Sequence, residues 1–269
     1  MDFQRRQVQV PDGTTISFLV REGDETRPAL VLLHGIAGSA RELIATAEAF
    51  PTRAAVLIDQ RGHGCSTRHP DDVSRAAFVA DVGRVVESEG LDRIDLIGQS
   101  MGAHTAMLFA AEHPELVHRL VLLEGNEGGG TAEEHAALGA FFEQWPVPFT
   151  SREHASAHLG DGPLARAWID DLEVTSAGLQ PRFDADVLVR IIREVAVPRW
   201  SEWSRVSAPT LAVYAGGGMF SEAQKTAFVE RGQAVTRCDL RNASHDAHLD
   251  AFEQWSTVLH RFLDAETVE

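Results

Sequence analysis

The sequence has few of the features that mark secreted or membrane proteins. Only two cysteines occur in 269 residues, Cys65 and Cys238, and so few thiols favour a reduced protein over a disulfide framework. The opening residues "MDFQRRQVQV" lack the apolar segment of a signal peptide. No apolar run approaches the roughly 18 residues of a membrane-spanning helix. These absences predict a cytoplasmic location.

The sequence is also poor in positive charge. It has 24 lysines and arginines against 40 acidic residues, which gives a formal net charge of −16. Nucleic acids and anionic membranes are bound through basic surfaces, so the charge argues against both as partners. No ligand spacing of a metal site is present. We therefore expect a small-molecule substrate and neither a metal nor an organic cofactor, and the oligomeric state is open.

Short apolar runs alternate with helical patterns along much of the chain. The runs are typical of strands buried on both faces and read "PALVLLHG", "AAVLIDQ", "RIDLIGQ" and "RLVLLEG". Such alternation predicts an α/β fold with a doubly wound, mostly parallel sheet and helices on both faces. The segments "QVQV" and "TISFLV" around the turn "PDGT" predict an opening hairpin.

The alternation stops between residues 126 and 206. This segment has helix-like stretches but no convincing strand, and the pattern resumes at "APTLAVYAGG". We therefore predict a core formed by residues 1–125 and 207–269, with residues 126–206 inserted as a helical cap, or lid. Four of the five tryptophans lie in the insertion.

The pentapeptide Gly98-Gln99-Ser100-Met101-Gly102 lies between a predicted strand and a predicted helix. The pattern G-x-S-x-G in that context is typical of a nucleophile elbow, a tight turn that lifts a serine hydroxyl above the sheet. The two glycines would let the strand and the helix approach each other closely, and the helix N-terminus favours a developing negative charge.

With the elbow, three further segments resemble the α/β-hydrolase superfamily, and the resemblance runs over almost the whole chain. They are "VLLHGIAGSA" (31–40), "LIDQRGHGCS" (57–66) and "RNASHDAHLDAFEQW" (241–255). The resemblance implies Ser100 as nucleophile and His245 as its base, with His248 as the competing histidine. It also implies an oxyanion hole formed by the backbone N–H groups of Met101 and Ile36.

The commonest position for the triad acid in this superfamily holds Gly218 here, and no carboxylate occurs from 212 to 220. A subset of the superfamily carries the acid after the preceding strand. Here that strand, "RLVLLEG", ends in Glu124, on the sheet edge where such folds do their chemistry. We therefore predict Glu124 as the acid.

Three other carboxylates are weaker candidates for this role. Glu222 falls in the following helix, Asp246 adjoins the histidine and should point away from it, and Glu127 follows in the linker. If Glu124 is the acid, its carboxylate should lie about 3 Å from Nδ1 of His245.

Hydrolysis of an uncharged, fairly hydrophobic carboxylic ester or lactone is the leading functional hypothesis. The aromatic residues of the cap include Trp145 and Trp168, and these are expected to line a mostly apolar pocket with Met219 and Phe220. Two alternatives remain open: cofactor-free C–C or oxygenolytic cleavage by the same serine–histidine pair, and a ligand-binding homologue without turnover. His104 is expected to be packed or solvated.

Overall fold

The computed structural model describes residues 2–265, and its centre is an eight-stranded sheet. The strands of this sheet are β1 (Gln4–Gln9), β2 (Thr15–Arg21), β3 (Ala29–Leu33), β4 (Ala55–Asp59), β5 (Ile94–Gln99), β6 (Val117–Leu123), β9 (Thr210–Gly217) and β10 (Val235–Ser244). A separate two-stranded sheet is formed by β7 (Glu173–Thr175) and β8 (Gly178–Gln180).

Helices connect most of the strands, and a 3₁₀ turn at Ala40–Leu43 precedes the first of them. They are α1 (Ile44–Glu48), α2 (Arg75–Ser88), α3 (Met101–Glu112), α4 (Ala132–Glu143), α5 (Arg152–Leu159), α6 (Pro163–Asp171), α7 (Ala185–Val195), α8 (Trp200–Trp203), α9 (Glu222–Arg231), α10 (Ala247–Asp250) and α11 (Phe252–Leu263).

The sheet is mostly parallel, which confirms the predicted fold class. Its strand order is β1-β2-β4-β3-β5-β6-β9-β10. All pairs from β4 to β10 are parallel, whereas β1 pairs antiparallel with β2, and β2 pairs antiparallel with β4. Strands β3 and β5 are buried along their whole length, which is why they read as continuous apolar runs rather than as an alternating pattern.

Two hydrophobic clusters cover the two faces of the sheet. One contains Leu33, Leu96 and Leu122 and packs against helices α2 and α3, and the other contains Leu32, Ile97 and Val121 and packs against α11. Successive strand residues contribute to opposite clusters because side chains alternate across a strand. The sheet is thereby fixed from both sides, and its carboxyl edge carries the loops described below.

The insertion between β6 and β9 is mainly helical. It also contains two short strands, although none was predicted from the sequence. Strands β7 and β8 form an antiparallel hairpin, and Phe149 pairs with Leu179 of β8 in an isolated bridge. Each strand has three residues, too short for a period of two to be visible in sequence. The last helix of the segment, α8, also belongs with the core, because Trp203 stacks on Phe228 there.

No helix in residues 2–265 combines the length and apolar character needed to cross a membrane.

Candidate active site

Ser100 lies at the turn between β5 and α3. Its φ of 53° and ψ of −116° form a conformation that costs a non-glycine residue about 1–3 kcal/mol. Two hydrogen bonds hold the turn: the N–H of Ser100 donates to the carbonyl of Leu123 at 2.9 Å, and its own carbonyl accepts from the N–H of His104 at 3.1 Å. The hydroxyl does not cap its own helix, so it is available to another partner.

The two glycines of the elbow are required by close packing. A Cβ at Gly98 would overlap the carbonyl of Gly102, and a Cβ at Gly102 would overlap the carbonyl oxygens of Leu33 and His34. The strand, the helix and the loop after β3 therefore meet at van der Waals distance only because both residues lack side chains.

Glu124 follows the last residue of β6 and is 1% exposed. His245 follows the last residue of β10. The distance from Nδ1 of His245 to Oε2 of Glu124 is 3.1 Å, as predicted from the sequence. The contact joins the ends of two strands that are separated by β9 in the sheet.

The Glu124 carboxylate accepts two further hydrogen bonds. The backbone N–H of Ala215 donates to Oε1 at 2.7 Å, and that of Met219 donates to Oε2 at 2.9 Å. Burial raises the pKa of Glu124, but the hydrogen bonds from His245, Ala215 and Met219 outweigh it and hold the pKa below its ordinary value. The carboxylate is therefore ionised at neutral pH and fixed in orientation.

Gln99, next to the serine, ties the histidine loop to the elbow. Its Nε2 donates to the carbonyl of His245 and to Oδ1 of Asp246, both at 3.3 Å. Burial raises the pKa of Asp246. Its carboxylate thus bonds to the elbow, whereas that of Glu124 bonds to His245.

The remaining candidates from the sequence lie elsewhere. His248 is 2% exposed, and its Nε2 is 4.0 Å from Oε2 of Glu42. Burial, together with nearby His245 and His34, lowers the pKa of His248 to about 3. Glu222 binds Lys225 at 3.0 Å and Arg237 at 2.6 Å on the surface. Neither side chain lines the cavity that contains Ser100.

The backbone amides of Met101 and Ile36 flank the same site. Both residues line the cavity with Ser100, and Met101 is the first residue of α3. Within residues 2–265, neither amide donates a hydrogen bond to another protein group. Two free N–H groups near a serine have the composition of an oxyanion hole.

The cavity has a volume of about 280 Å³ and lies between the core and the insertion. Ser100, Glu124 and His245 line it from the core. Its apolar wall is built by both parts of the chain, from Ile36, Met101, Leu138, Ile192, Val195 and Phe220.

Comparison with known proteins agrees with the fold described above. Residues 28–152 match the family model of the α/β-hydrolase fold. The crystal structure of E-2-(acetamidomethylene)succinate hydrolase is similar over 98% of this chain and 100% of that one, with a TM-score of 0.89 and 19% identity. Both comparisons show the α/β-hydrolase fold.

Two of the similar proteins are named for different hydrolytic activities. The sn-1-specific diacylglycerol lipase of Mus musculus is 28% identical over 92% of this chain and 85% of its own length. The 2-hydroxy-6-oxononadienedioate/2-hydroxy-6-oxononatrienedioate hydrolase of Burkholderia vietnamiensis is 35% identical over 45% of this chain and 44% of its own length.

The four pocket residues predicted from the sequence divide into two pairs. Met219 and Phe220 line the cavity, whereas Trp145 and Trp168 do not. The expectation for the two tryptophans is wrong, because they pack into the core of the insertion. Their ring centroids are 5.1 Å apart, and their neighbours are Phe142, Phe149 and Phe183. The insertion needs this aromatic cluster for its own stability.

Two histidines that sequence reasoning had not placed at the site also line the cavity. His104 lies on α3 one turn after Ser100, and His135 lies on α4 of the insertion, where its Nε2 donates to the carbonyl of Gly129 at 3.1 Å. The signal for His104 was its spacing, since residues four apart share a face of a helix. No sequence signal identified His135, because the approach of α4 to the site depends on the packing of the insertion.

Proposed function

We propose that the protein is a serine hydrolase that cleaves a small, fairly hydrophobic carboxylic ester or lactone through an acyl-enzyme. One observation carries the proposal: the buried Glu124 carboxylate accepts a hydrogen bond from Nδ1 of His245 at the wall of the cavity that contains Ser100. This leaves Nε2 of the imidazole for the serine, which is the division of roles in a Ser-His-acid triad.

In the proposed reaction, His245 removes the proton of the Ser100 hydroxyl as its oxygen attacks the substrate carbonyl carbon. The tetrahedral intermediate collapses, the C–O bond to the alcohol breaks, and His245 gives the proton to the leaving oxygen. Water then attacks the acyl-enzyme by the same route and releases the acid. Glu124 holds the imidazole in the required tautomer and stabilises the imidazolium.

The negative charge that develops on the carbonyl oxygen needs donors that are already in place. The unpaired N–H groups of Met101 and Ile36 fit that requirement. Such a donor typically contributes about 3 kcal/mol to the stability of the transition state. The strained backbone of Ser100 supports the same assignment, because strain of this kind clusters at active sites.

Ester chemistry is favoured by the lipase relative and by the apolar wall of the cavity. The Burkholderia vietnamiensis relative supports a second candidate, since its named substrates are hydroxy-oxo dienedioates without an ester bond, so that their hydrolysis breaks a C–C bond. The same Ser100 and His245 would serve that reaction. A ligand-binding protein without turnover is disfavoured by the Glu124–His245 contact, which binding alone does not require.

The test is the activity of Ser100→Ala on a panel of p-nitrophenyl esters. Turnover should fall by a factor on the order of 10³ or more while the protein stays folded. A fluorophosphonate probe should label Ser100 in the wild type, as located by mass spectrometry of peptides. Ser201→Ala, at an exposed position on α8, is the control and should match the wild type.

Unchanged turnover in Ser100→Ala would falsify the nucleophile assignment. If Ser100 is labelled but no ester is cleaved, hydroxy-oxo dienedioates become the substrates to assay, and the C–C reaction replaces the ester reaction.

A further inference from the structure

His104 is a buried polar group whose hydrogen-bonding capacity the protein leaves largely unused. It lines the cavity and is 2% exposed. Neither Nδ1 nor Nε2 makes a hydrogen bond of good length and angle within residues 2–265, although the backbone carbonyl of Glu127 lies close enough to act on the ring. A buried donor or acceptor without a partner costs about 1–3 kcal/mol, and such groups need an explanation in a native structure. A substrate that enters the cavity would supply the missing partner.

The surrounding backbone leaves room for this imidazole. Gly128 has a φ of +91°, and a Cβ there would lie 2.9 Å from Nε2 of His104. The neighbours Gly129 and Gly130 also have positive φ angles, of +119° and +111°, and all three line the cavity. The loop therefore approaches the histidine at Gly128 so closely that a side chain there would collide with the imidazole.

His104 is uncharged at neutral pH. Burial lowers its pKa, and the positive charges of Arg75 and Arg199 lower it further, while the backbone carbonyl of Glu127 acts in the opposite direction; the pKa ends well below its ordinary value. A neutral imidazole presents one N–H donor and one acceptor nitrogen. It therefore suits a hydroxyl, which can use either nitrogen, or a keto oxygen, which uses the donor.

The residues that line the cavity favour an uncharged substrate group at this position over an anionic one. No lysine or arginine is among the described residues that line the cavity, whereas the carboxylates of Glu124 and Glu134 are. Arg75 and Arg199 act on His104 from outside the cavity lining, so a substrate carboxylate would meet the two carboxylates of the wall without a cation in direct contact, which is unfavourable in a partly buried site.

The place of His104 relative to Ser100 sets the position of the recognised group. Four residues along a helix correspond to a rise of about 6 Å, and helical side chains lean toward the N-terminus, which here carries the serine. A group that reaches His104 is thus a few bonds from the carbonyl that Ser100 attacks.

We infer that His104 is a specificity-determining residue that hydrogen-bonds an uncharged oxygen, as a hydroxyl or a keto group, carried by the substrate a few bonds from the reacting carbonyl. The inference rests on the proposed function, because it takes Ser100 as the reacting residue. It refines the expectation of a hydrophobic substrate: the cavity has one apolar wall and one polar position.

The first test compares kcat/KM for p-nitrophenyl hexanoate and p-nitrophenyl 3-hydroxyhexanoate, each corrected for its hydroxide-catalysed rate. The wild type should prefer the hydroxy ester. His104→Leu should reduce that preference by about tenfold, the value of one hydrogen bond of about 1.4 kcal/mol, and His104→Gln should retain part of it. His113→Leu, at the end of the same helix and outside the cavity lining, is the control.

The second test needs no turnover and therefore separates the inference from the proposed function. Calorimetry with Ser100→Ala should give tighter binding of methyl 3-hydroxyhexanoate than of methyl hexanoate. The difference should disappear when His104→Leu is added. Equal affinities in Ser100→Ala, or no binding of either ligand, overturn the inference whatever the ester kinetics show. A preference that survives His104→Leu in both tests overturns it as well.

Discussion

The carboxylate of Glu124 occupies the space that a side chain at residue 218 would need. A Cβ built on Gly218 would overlap both carboxylate oxygens of Glu124. Gly218 is the position at which the superfamily most often carries its triad acid, and Glu124 reaches the same region from the neighbouring strand. The two arrangements exclude each other sterically, so the glycine is consistent with the proposed role of Glu124 and is not in itself a sign of a lost triad.

This relationship predicts that Gly218→Ala impairs catalysis although it replaces none of the proposed catalytic residues. The added methyl should displace the carboxylate from Nδ1 of His245, and a displacement of about 1 Å in an active site can cost about 10²-fold in rate. Gly216→Ala is the matched control, since its Cβ would meet nothing closer than the Leu240 carbonyl at 3.4 Å. Steady-state kinetics on one ester would decide. Equal activity of the two variants would mean that Glu124 does not need its present position.

Much of the fold and the central contact of the site were accessible from the sequence. Strands buried on both faces are continuous apolar runs, and the carboxyl ends of parallel strands meet at one edge of the sheet. Glu124 directly follows such a run, so its contact with His245 could be predicted. The packing of the more than one hundred residues between them could not.

The parts that were not predicted depend on packing between distant segments. Trp145 could have faced either the site or the interior of the insertion, and residue type alone does not distinguish these environments. The hairpin of β7 and β8 is too short for a periodic signal. The position of His104 near the site could have been predicted from its helical spacing to Ser100. Its lack of a well-formed hydrogen bond is visible only in the folded structure.

The opposite environments of Trp145 and Met219 predict opposite effects of alanine. Trp145 is 5% exposed in the aromatic cluster of the insertion, so Trp145→Ala should lower the free energy of unfolding by about 3–5 kcal/mol. Met219 is 66% exposed, and it lines the cavity. Met219→Ala should change stability by less than about 0.5 kcal/mol yet shift the preferred acyl-chain length. Urea unfolding and an ester series of increasing length measure the two quantities. A stable Trp145→Ala protein with an altered preference for acyl-chain length would show that this tryptophan lines the substrate pocket rather than the core of the insertion.

Buried neutral histidines predict a loss of stability in mild acid. The pKa of His248 is about 3 in the folded protein, against about 6.5 in an unfolded chain. Between these values the unfolded state binds one more proton, so the free energy of unfolding falls as the pH is lowered, by about 1.4 kcal/mol per pH unit for one histidine. From pH 7.5 to 5 the contribution is about 2 kcal/mol.

His248→Phe should remove about 2 kcal/mol of the stability loss between these two pH values. The comparison uses urea unfolding at both pH values, with the exposed His69 replaced by glutamine as the control. If His248→Phe loses as much stability as the wild type on acidification, this histidine is not held neutral by the fold.

Exchanging the two residues that compete for one space should restore activity that each single change removes. Glu124→Gly deletes the proposed triad acid and should slow turnover by about 10²–10⁴-fold; glycine also accepts the φ of 49° at this position. Gly218→Asp alone should be at least as impaired as Gly218→Ala, because the new side chain displaces Glu124.

In the double variant the Glu124 carboxylate no longer occupies the space beside residue 218. Asp at residue 218 would then lie where the superfamily commonly has its acid. Residues in contact are not additive, so the double variant should turn over ester at least tenfold faster than either single variant. Circular dichroism verifies that all three are folded. The double variant could instead lose activity by the product of the factors lost in the two single variants. That result would show that an acid at position 218 cannot replace Glu124, and only the steric conflict between the two positions would remain supported.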